Sequence, residues 1–496
     1  MDFVQNFPYF SIILSMFSGT VSSILPGKAA KWVNTAVITI VAGLSFVLLV
    51  YLMGTGESYT YMMGHFPAPW GNEIRAGVLE AGMAFFFCVI MLLSMMGGRK
   101  KLIQEVEEEK HNLYYILVNL LLSSLLALVY TNDLFTAYVF VEINTISACG
   151  LIMIRQNGRT IEAAVRYMIM SLLGSGLFLL GICMLYDLTG HLLMSNIQQE
   201  IALIISQEQY TIPLLVTIAF MSVGLAIKCA LFPFHSWLPD AYGYSTVSSA
   251  AILSSLVSKG YIFLLIKIFY RVIGIEIIND NKIINILFVF GIAGMIFGSL
   301  SAIKENDIRR MIAFSSVAQI GYIYMGFGLG TEEGMMASIF HILSHAATKS
   351  LLFIAAIGLT DVSKGSRHFQ DLTGAGYRNK IAGVGFTVGA LSMVGLPAFS
   401  GFVSKILFAQ AAVFTGGKTI ITLLALSIST ILNAIYFMKT VIRIYTPVKT
   451  DDDTILAGQQ KEYTITILLF IGLNLILGLT SWPITEWILM GLSMFS

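Results

Sequence analysis

Runs of about twenty residues almost free of charge recur along this chain, residues 33–53 and 112–131 among them, and each is the length that carries a helix across a bilayer. Hydrocarbon cannot hydrate a peptide group, so a spanning element must satisfy its backbone internally, as a helix or within a closed barrel. These runs lack the polar/apolar alternation of a barrel strand. The expected fold class is therefore an all-α polytopic membrane protein. Composition agrees. Charged residues make up 11% of the 496, against roughly 25% in soluble domains, and mean hydropathy is +0.81. A net charge of +1 with no basic stripe excludes a nucleic-acid surface. The four cysteines, Cys88, Cys149, Cys183 and Cys229, lie in apolar runs without metal-binding spacing and read as small buried hydrophobes. The N-terminus has no basic segment of the kind that opens a signal peptide.

Breaking the chain at polar, Gly/Pro and charged interruptions gives about fourteen spans: 9–26, 33–53, 78–97, 112–131, 134–154, 163–186, 212–235, 243–266, 283–303, 311–330, 334–359, 381–415, 419–440 and 463–482. Lysine and arginine test the count, because cytoplasmic loops hold the excess. Of 29 basic residues, 20 fall in or beside loops that follow odd-numbered spans. Five follow even-numbered ones: Arg75, Lys267, Arg271, Lys282 and Lys418. A wrong count would scramble that asymmetry. The expectation is a plasma-membrane protein, one membrane domain over 1–496, with both termini outside.

Four basic residues fit no loop. Lys228, Lys259, Lys349 and Lys405 lie inside spans, where an ammonium costs several kcal/mol unless it is paired or snorkels. Lys259, near a span end, is the one for which snorkelling is open. Glu142 is also intramembrane, and its carboxylate is a candidate partner for a buried lysine; separating such a pair would release a proton. His341, His345 and Lys349 recur every four residues and so share one helix face, a ladder about 12 Å long. No acidic residue completes a metal site there, and the expected use is proton relay. No metal and no cofactor is expected. The glycine clusters GFGLGTEEG and GVGFTVGA follow no strand and read as helix ends and packing points.

Prolines interrupt two spans, Pro233 in LAIKCALFPFHSWLPDA and Pro397 in LSMVGLPAFSGFVSKILF. Each removes an amide donor and should break its helix. Lys228 precedes its break and Lys405 follows its own. The broken spans lie five apart, which suggests two inverted five-helix repeats, 112–266 and 283–446, with a transport site between them. Lipid and other membrane subunits would cover the outside. The amphipathic stretch Asn196–Gln209 and the acidic loop Asp451–Asp453 read either as partner contacts or as solvated faces.

Taken together, the residues resemble the antiporter-like subunits shared by Mrp cation/proton antiporters, respiratory complex I and membrane-bound hydrogenases. The resemblance runs from about Trp70 to about Tyr445. DLFTAYVFVEI is similar to the family's DLFNLFVFFEV, AIKCALFPFHSWLPDAY to its lysine–proline–histidine–WLPDA stretch, and SSLVSKGYIFLLIK to its next lysine-bearing span. IKENDIRRMIAFSSVAQIGYI, HILSHAATKSLLF and GLPAFSGFVSKILF resemble three further motifs in family order. The lysine at Lys405, the early GHFPAPWGNEIRAGVLEAGM segment and the lack of a long lateral helix most resemble the Mrp D-type subunit.

The resemblance implies a proton path through Glu142, Lys228, Lys259, His341, His345, Lys349 and Lys405. Asp133, Arg166, His235 and Asp240 are its accessory positions. Arg166 stands where the family usually has lysine; it keeps the charge but cannot deprotonate near neutral pH. Thr136 and Thr348 add hydroxyls where the family has bulkier residues, and EINTISACGL is more polar than its equivalents. The implied partners are the other membrane subunits of an Mrp-type, hydrogenase or complex I-like assembly. The implied cargo is protons, with exchange for Na⁺ left open. Two other classes remain: a non-transporting scaffold whose charges pin helices, and a solute symporter, which the linear run of titratable groups disfavours. Electron-transfer energy, where used, would come from partner subunits.

Overall fold

The computed structural model describes residues 3–63, 66, 71–207, 210–280, 282–447 and 461–495. Its helices run α1 Phe7–Ile24, α2 Gly27–Thr55, α3 Val78–Glu105, α4 His111–Tyr130, α5 Leu134–Met153, α6 Gly158–Thr189, α7 Met194–Ser206, α8 Thr211–Lys228, α9 Leu238–Tyr244, α10 Val247–Ile252 and α11 Ser258–Ile268. They continue as α12 Ile275–Asp280, α13 Ile283–Lys304, α14 Ile308–Phe327, α15 Glu332–Asp361, α16 Ala375–Arg378, α17 Lys380–Val394, α18 Ser400–Val413, α19 Thr419–Ile444, α20 Lys461–Leu479 and α21 Ser481–Ser493. Among the described residues one antiparallel strand pair, β1 Tyr59–Met62 with β2 Glu73–Ala76, interrupts this pattern between α2 and α3.

Every one of the fourteen expected segments holds a helix, and among the described residues twelve helical stretches are long and apolar enough to cross a membrane. The proline-broken pair α17 and α18 counts as two shorter helices. Helices α13 and α14 cross closely because both present glycine. A Cβ on Gly291 would sit 2.4 Å from the Met325 amide nitrogen, and one on Gly321 2.5 Å from the Gly291 carbonyl oxygen, the small-residue approach that lipid-embedded helices use.

Two stretches are enclosed on all sides. In α15 and in the run Val247–Ile273, the most apolar windows are completely buried inside the chain. By contrast α1, α2, α6, α19 and α20 expose leucine, isoleucine and valine outward, as lipid- or subunit-facing helices must. Three cysteines are buried as expected, but Cys183 is exposed on the outside of α6. GFGLG ends α14 and GVGFTVGA packs within α17. The amphipathic stretch forms α7, packed through Met194, Ile197 and Ile201. Asp451–Asp453 lies outside the described residues.

Candidate proton-conducting core

The prolines sit in the breaks, not at the helix ends. α8 stops at Lys228 and α9 starts at Leu238, leaving Pro233 in the connector. α17 stops at Val394, Gly395 and Ala398 take φ of 91° and 76°, and α18 begins at Ser400, with Pro397 between. The two breaks place a lysine at the negative end of a helix dipole. Lys228 is the last residue of α8. Lys405, in the second half of its span, reaches back to the end of the first half and donates to Val394 O at 2.6 Å and Met393 O at 3.2 Å, with Thr430 Oγ1 at 3.0 Å. Carbonyls freed by a broken helix thus receive an ammonium.

A third interruption was not legible in the sequence. Residues Leu253–Val257 form a π-helical turn between α10 and α11, and such turns leave carbonyls without their regular partners. Lys259 fills the gap, donating to Ser254 O and, at 3.2 Å, to Ser258 Oγ. Lys259 is fully buried, so snorkelling is ruled out as its means of escape.

Lys228, buried, donates to Thr145 Oγ1 at 2.7 Å. Thr145 approaches Tyr261 OH at 3.4 Å, and Tyr261 donates to Asn144 Oδ1 at 2.9 Å. Among the described residues no carboxylate lies within 4.0 Å of Lys228, so Glu142 and Lys228 are not in direct contact, and Thr145 holds the ammonium. Glu142 faces the flank of α5 on which Phe135, Val139 and Ile146 are exposed, and its Oε1 is buried without a partner. The acid therefore stands at the edge of the bundle.

On α15, His341 and His345 stack with ring centroids 6.0 Å apart. His341 Nδ1 is 3.0 Å from Ser404 Oγ, the residue before Lys405. His341 Nε2 and both ring nitrogens of His345 are buried with no hydrogen-bond partner, a costly arrangement for a merely structural histidine. Lys349 donates to Ile312 O at 3.1 Å and to Ser315 Oγ. Hydroxyls join these stations. Ser255 and Ser350 meet at 2.8 Å, linking the Lys259 turn to the residue after Lys349. Asn474 Oδ1 accepts from Thr348 at 2.6 Å, Ser392 at 3.2 Å and Ser400 at 3.1 Å, and Ser344 donates to Ser400 at 2.8 Å.

The accessory positions divide. Asp133 caps α5 by accepting from the Thr136 amide at 2.6 Å. His235 stacks on Phe232 with a buried, unpartnered Nδ1. Arg166 and Asp240 lie apart from the core: Arg166 pairs with Glu162 at 2.6 Å and Asp240 at 2.8 Å, and Asp240 also binds Arg310. Arg166 is thus bound by two carboxylates.

Lys267 and Arg271, expected in a loop, lie in a helical run that continues to Ile273, and both are buried. Lys267 donates to the carbonyls that end α4, Val129 O at 2.8 Å and Leu128 O at 3.4 Å, and to Thr131 O. Arg271 binds Asn132 and faces the equally buried Glu80 at 4.0 Å. Hydropathy ends a span at paired cations, and it cannot see the carbonyls that receive them.

Comparison with known proteins follows this geometry. A model of the NADH:quinone oxidoreductase/Mrp antiporter transmembrane family matches residues 131–433. NADH-quinone oxidoreductase subunit N of Desulforudis audaxviator is 31% identical over 404 residues, 80% of this chain and 78% of that protein. A Staphylococcus epidermidis protein named "Putative antiporter subunit mnhD2" is 33% identical over 315 residues, 63% of this chain and 60% of its own. Two solved structures share the fold, each with a TM-score of 0.87 and covering 99% of this chain and 97% of the other. They are a chain of the membrane-bound sulfane sulfur reductase, an archaeal respiratory membrane complex, at 24% identity, and one of the Mrp complex from Dietzia sp. DQ12-45-1b, at 22%. The matched segment holds every core residue from Glu142 to Lys405, and the chain belongs to the NADH:quinone oxidoreductase/Mrp antiporter transmembrane family.

Proposed function

We propose that this chain is an ion-translocating subunit of a multisubunit membrane complex, moving protons through the bilayer along Glu142, Lys228, Lys259, Lys349, His345, His341 and Lys405. The observation that carries this is the line of buried amines and imidazoles, the four lysines and His341 held by hydroxyls and carbonyls and His345 by neither, none of which has a carboxylate within 4.0 Å among the described residues. Packing devices are normally paired, because an unpaired buried charge is costly. A group that alternates between ammonium and amine needs neutral oxygen partners in both states. Glu142, at the bundle edge, would approach Lys228 only in part of the cycle.

In this reading both termini face outward in a plasma membrane, the fourteen segments all span, and 112–266 and 283–446 are inverted repeats related through the two broken helices. Similarity to the staphylococcal antiporter subunit favours an Mrp D-type role. A second reading, a proton-pumping subunit of a redox complex, is favoured by the longer match to a quinone oxidoreductase subunit. Other membrane subunits would pack against the exposed flank of α5 in both. Reconstituted complex carrying Lys228→Ala or Glu142→Gln tests the reading: pH-gradient formation should fall to background with assembly intact, and transport at the parent rate would refute it.

A further inference from the structure

The arginines at one end of the bundle do more than the charge asymmetry of loops requires. An open cleft of about 430 Å³ is lined by Arg155, Asn157, Gly158, Arg159, Tyr244 and Arg367, three guanidinium groups with no carboxylate. The arginines are fixed around one ring: Arg159 and Arg367 stack on Tyr244 at 5.6 and 5.7 Å, and Arg155 donates to Tyr244 O at 3.3 Å. Side chains of Arg155 and Arg367 are only 27% and 23% exposed, so they cannot swing freely into water.

Their counter-charges are incomplete. Arg367 pairs with Asp307 at 3.2 Å and Arg155 only with Glu105 at 3.9 Å. Asp240 and Glu305 are taken by Arg310, and Glu162 by Arg166. Among the described residues Arg159 has no carboxylate within 4.0 Å. The cleft therefore keeps an uncompensated positive charge. Gly158 opens the 32-residue α6, whose positive dipole end adds to it.

The surroundings say where the anion would come from. Down α6 from Gly158, Ile161, Val165 and Ile169 are exposed at four-residue spacing. These apolar side chains lie on α6 within three turns of Gly158, which lines the cleft, beside the exposed Glu162–Arg166 pair. We propose that the cleft binds the phosphate of an anionic phospholipid, the guanidinium forks holding its oxygens while an acyl chain lies along these side chains.

The test uses the assembled complex in nanodiscs of phosphatidylcholine alone or with added phosphatidylglycerol. Thermal unfolding and lipid retention in native mass spectrometry are the readouts. Phosphatidylglycerol should raise the melting temperature and be retained. In Arg159→Gln with Arg155→Gln, that rise should vanish and retention should fall about tenfold or more. Arg159→Gln alone changes an exposed side chain that stacks on Tyr244 without an ion pair, keeps the fold intact and should show a smaller loss; Arg159→Lys should recover part of it. Inorganic phosphate should give no comparable rise. An equal effect of inorganic phosphate would overturn the lipid assignment in favour of a free anion. An unchanged lipid effect in the variants, or none in the parent complex because another subunit covers the cleft, would overturn the site.

Discussion

The residues that carry the account are those whose burial nothing else repays. Lys349 is fully buried, hydrogen-bonded to Ile312 O and Ser315 Oγ and 5.8 Å from the Phe437 ring centre, with no carboxylate within 4.0 Å among the described residues. Replacing an unpaired buried charge by an apolar side chain of similar volume removes a desolvation penalty. Lys349→Met is therefore expected to abolish proton transport while leaving the melting temperature of the purified complex unchanged or raised; a fall of several degrees would mark the lysine as a structural pin. Asn474 behaves in the opposite way. Its Oδ1 receives three hydroxyls from α15, α17 and α18, and Asn474→Ala strands them in the core. The expected cost is about 1–3 kcal/mol of stability, read by thermal unfolding, with Asn474→Asp retaining the acceptors and losing less. The hydroxyls of Thr348 and the polar EINTIS segment were visible as departures from the family pattern, and both prove to be contacts of the core. Asn474 was not visible: one asparagine in an apolar span has no signal until its three partners are folded around it.

At the scale of elements, the interruptions place the charges. Proline announced two of them, and the structure puts each break beside a lysine, as the spacing implied. The third, the π-helical turn at Leu253–Val257, carries no proline and no glycine, so local propensity could not reveal it; the buried Lys259 was its only trace. Gly395 tests how tightly a break controls its lysine. Its φ of 91° suits glycine, and a Cβ there would lie 2.9 Å from Lys405 Cδ. Gly395→Ala should destabilise by about 1–2 kcal/mol and lower transport more than Gly389→Ala, which leaves Lys405 untouched. Equal losses in the two variants would separate the break from function. Span existence was legible from hydropathy throughout, whereas the end of the 243–266 span was set seven residues short because Lys267 and Arg271 looked like loop residues. Their partners, the carbonyls ending α4 together with Asn132 and Glu80, come from distant segments.

For the whole molecule, two enclosed helical runs, Val247–Ile273 and α15, form an axis bearing Lys259, His341, His345 and Lys349, with the broken helices supplying Lys228 and Lys405. The other helices shield that axis from lipid and turn apolar surface outward. This arrangement explains a composition so poor in charge: most basic residues border loops, and those inside are few and individually placed. The proposed pathway requires internal lysines that exchange protons and do not merely hold a positive charge. Arginine separates the two, because it keeps the charge but does not deprotonate near neutral pH. The decisive measurement is proton flux in proteoliposomes containing the fully assembled complex with Lys259→Arg: the account predicts flux at background with normal assembly, and flux at the parent rate would contradict it.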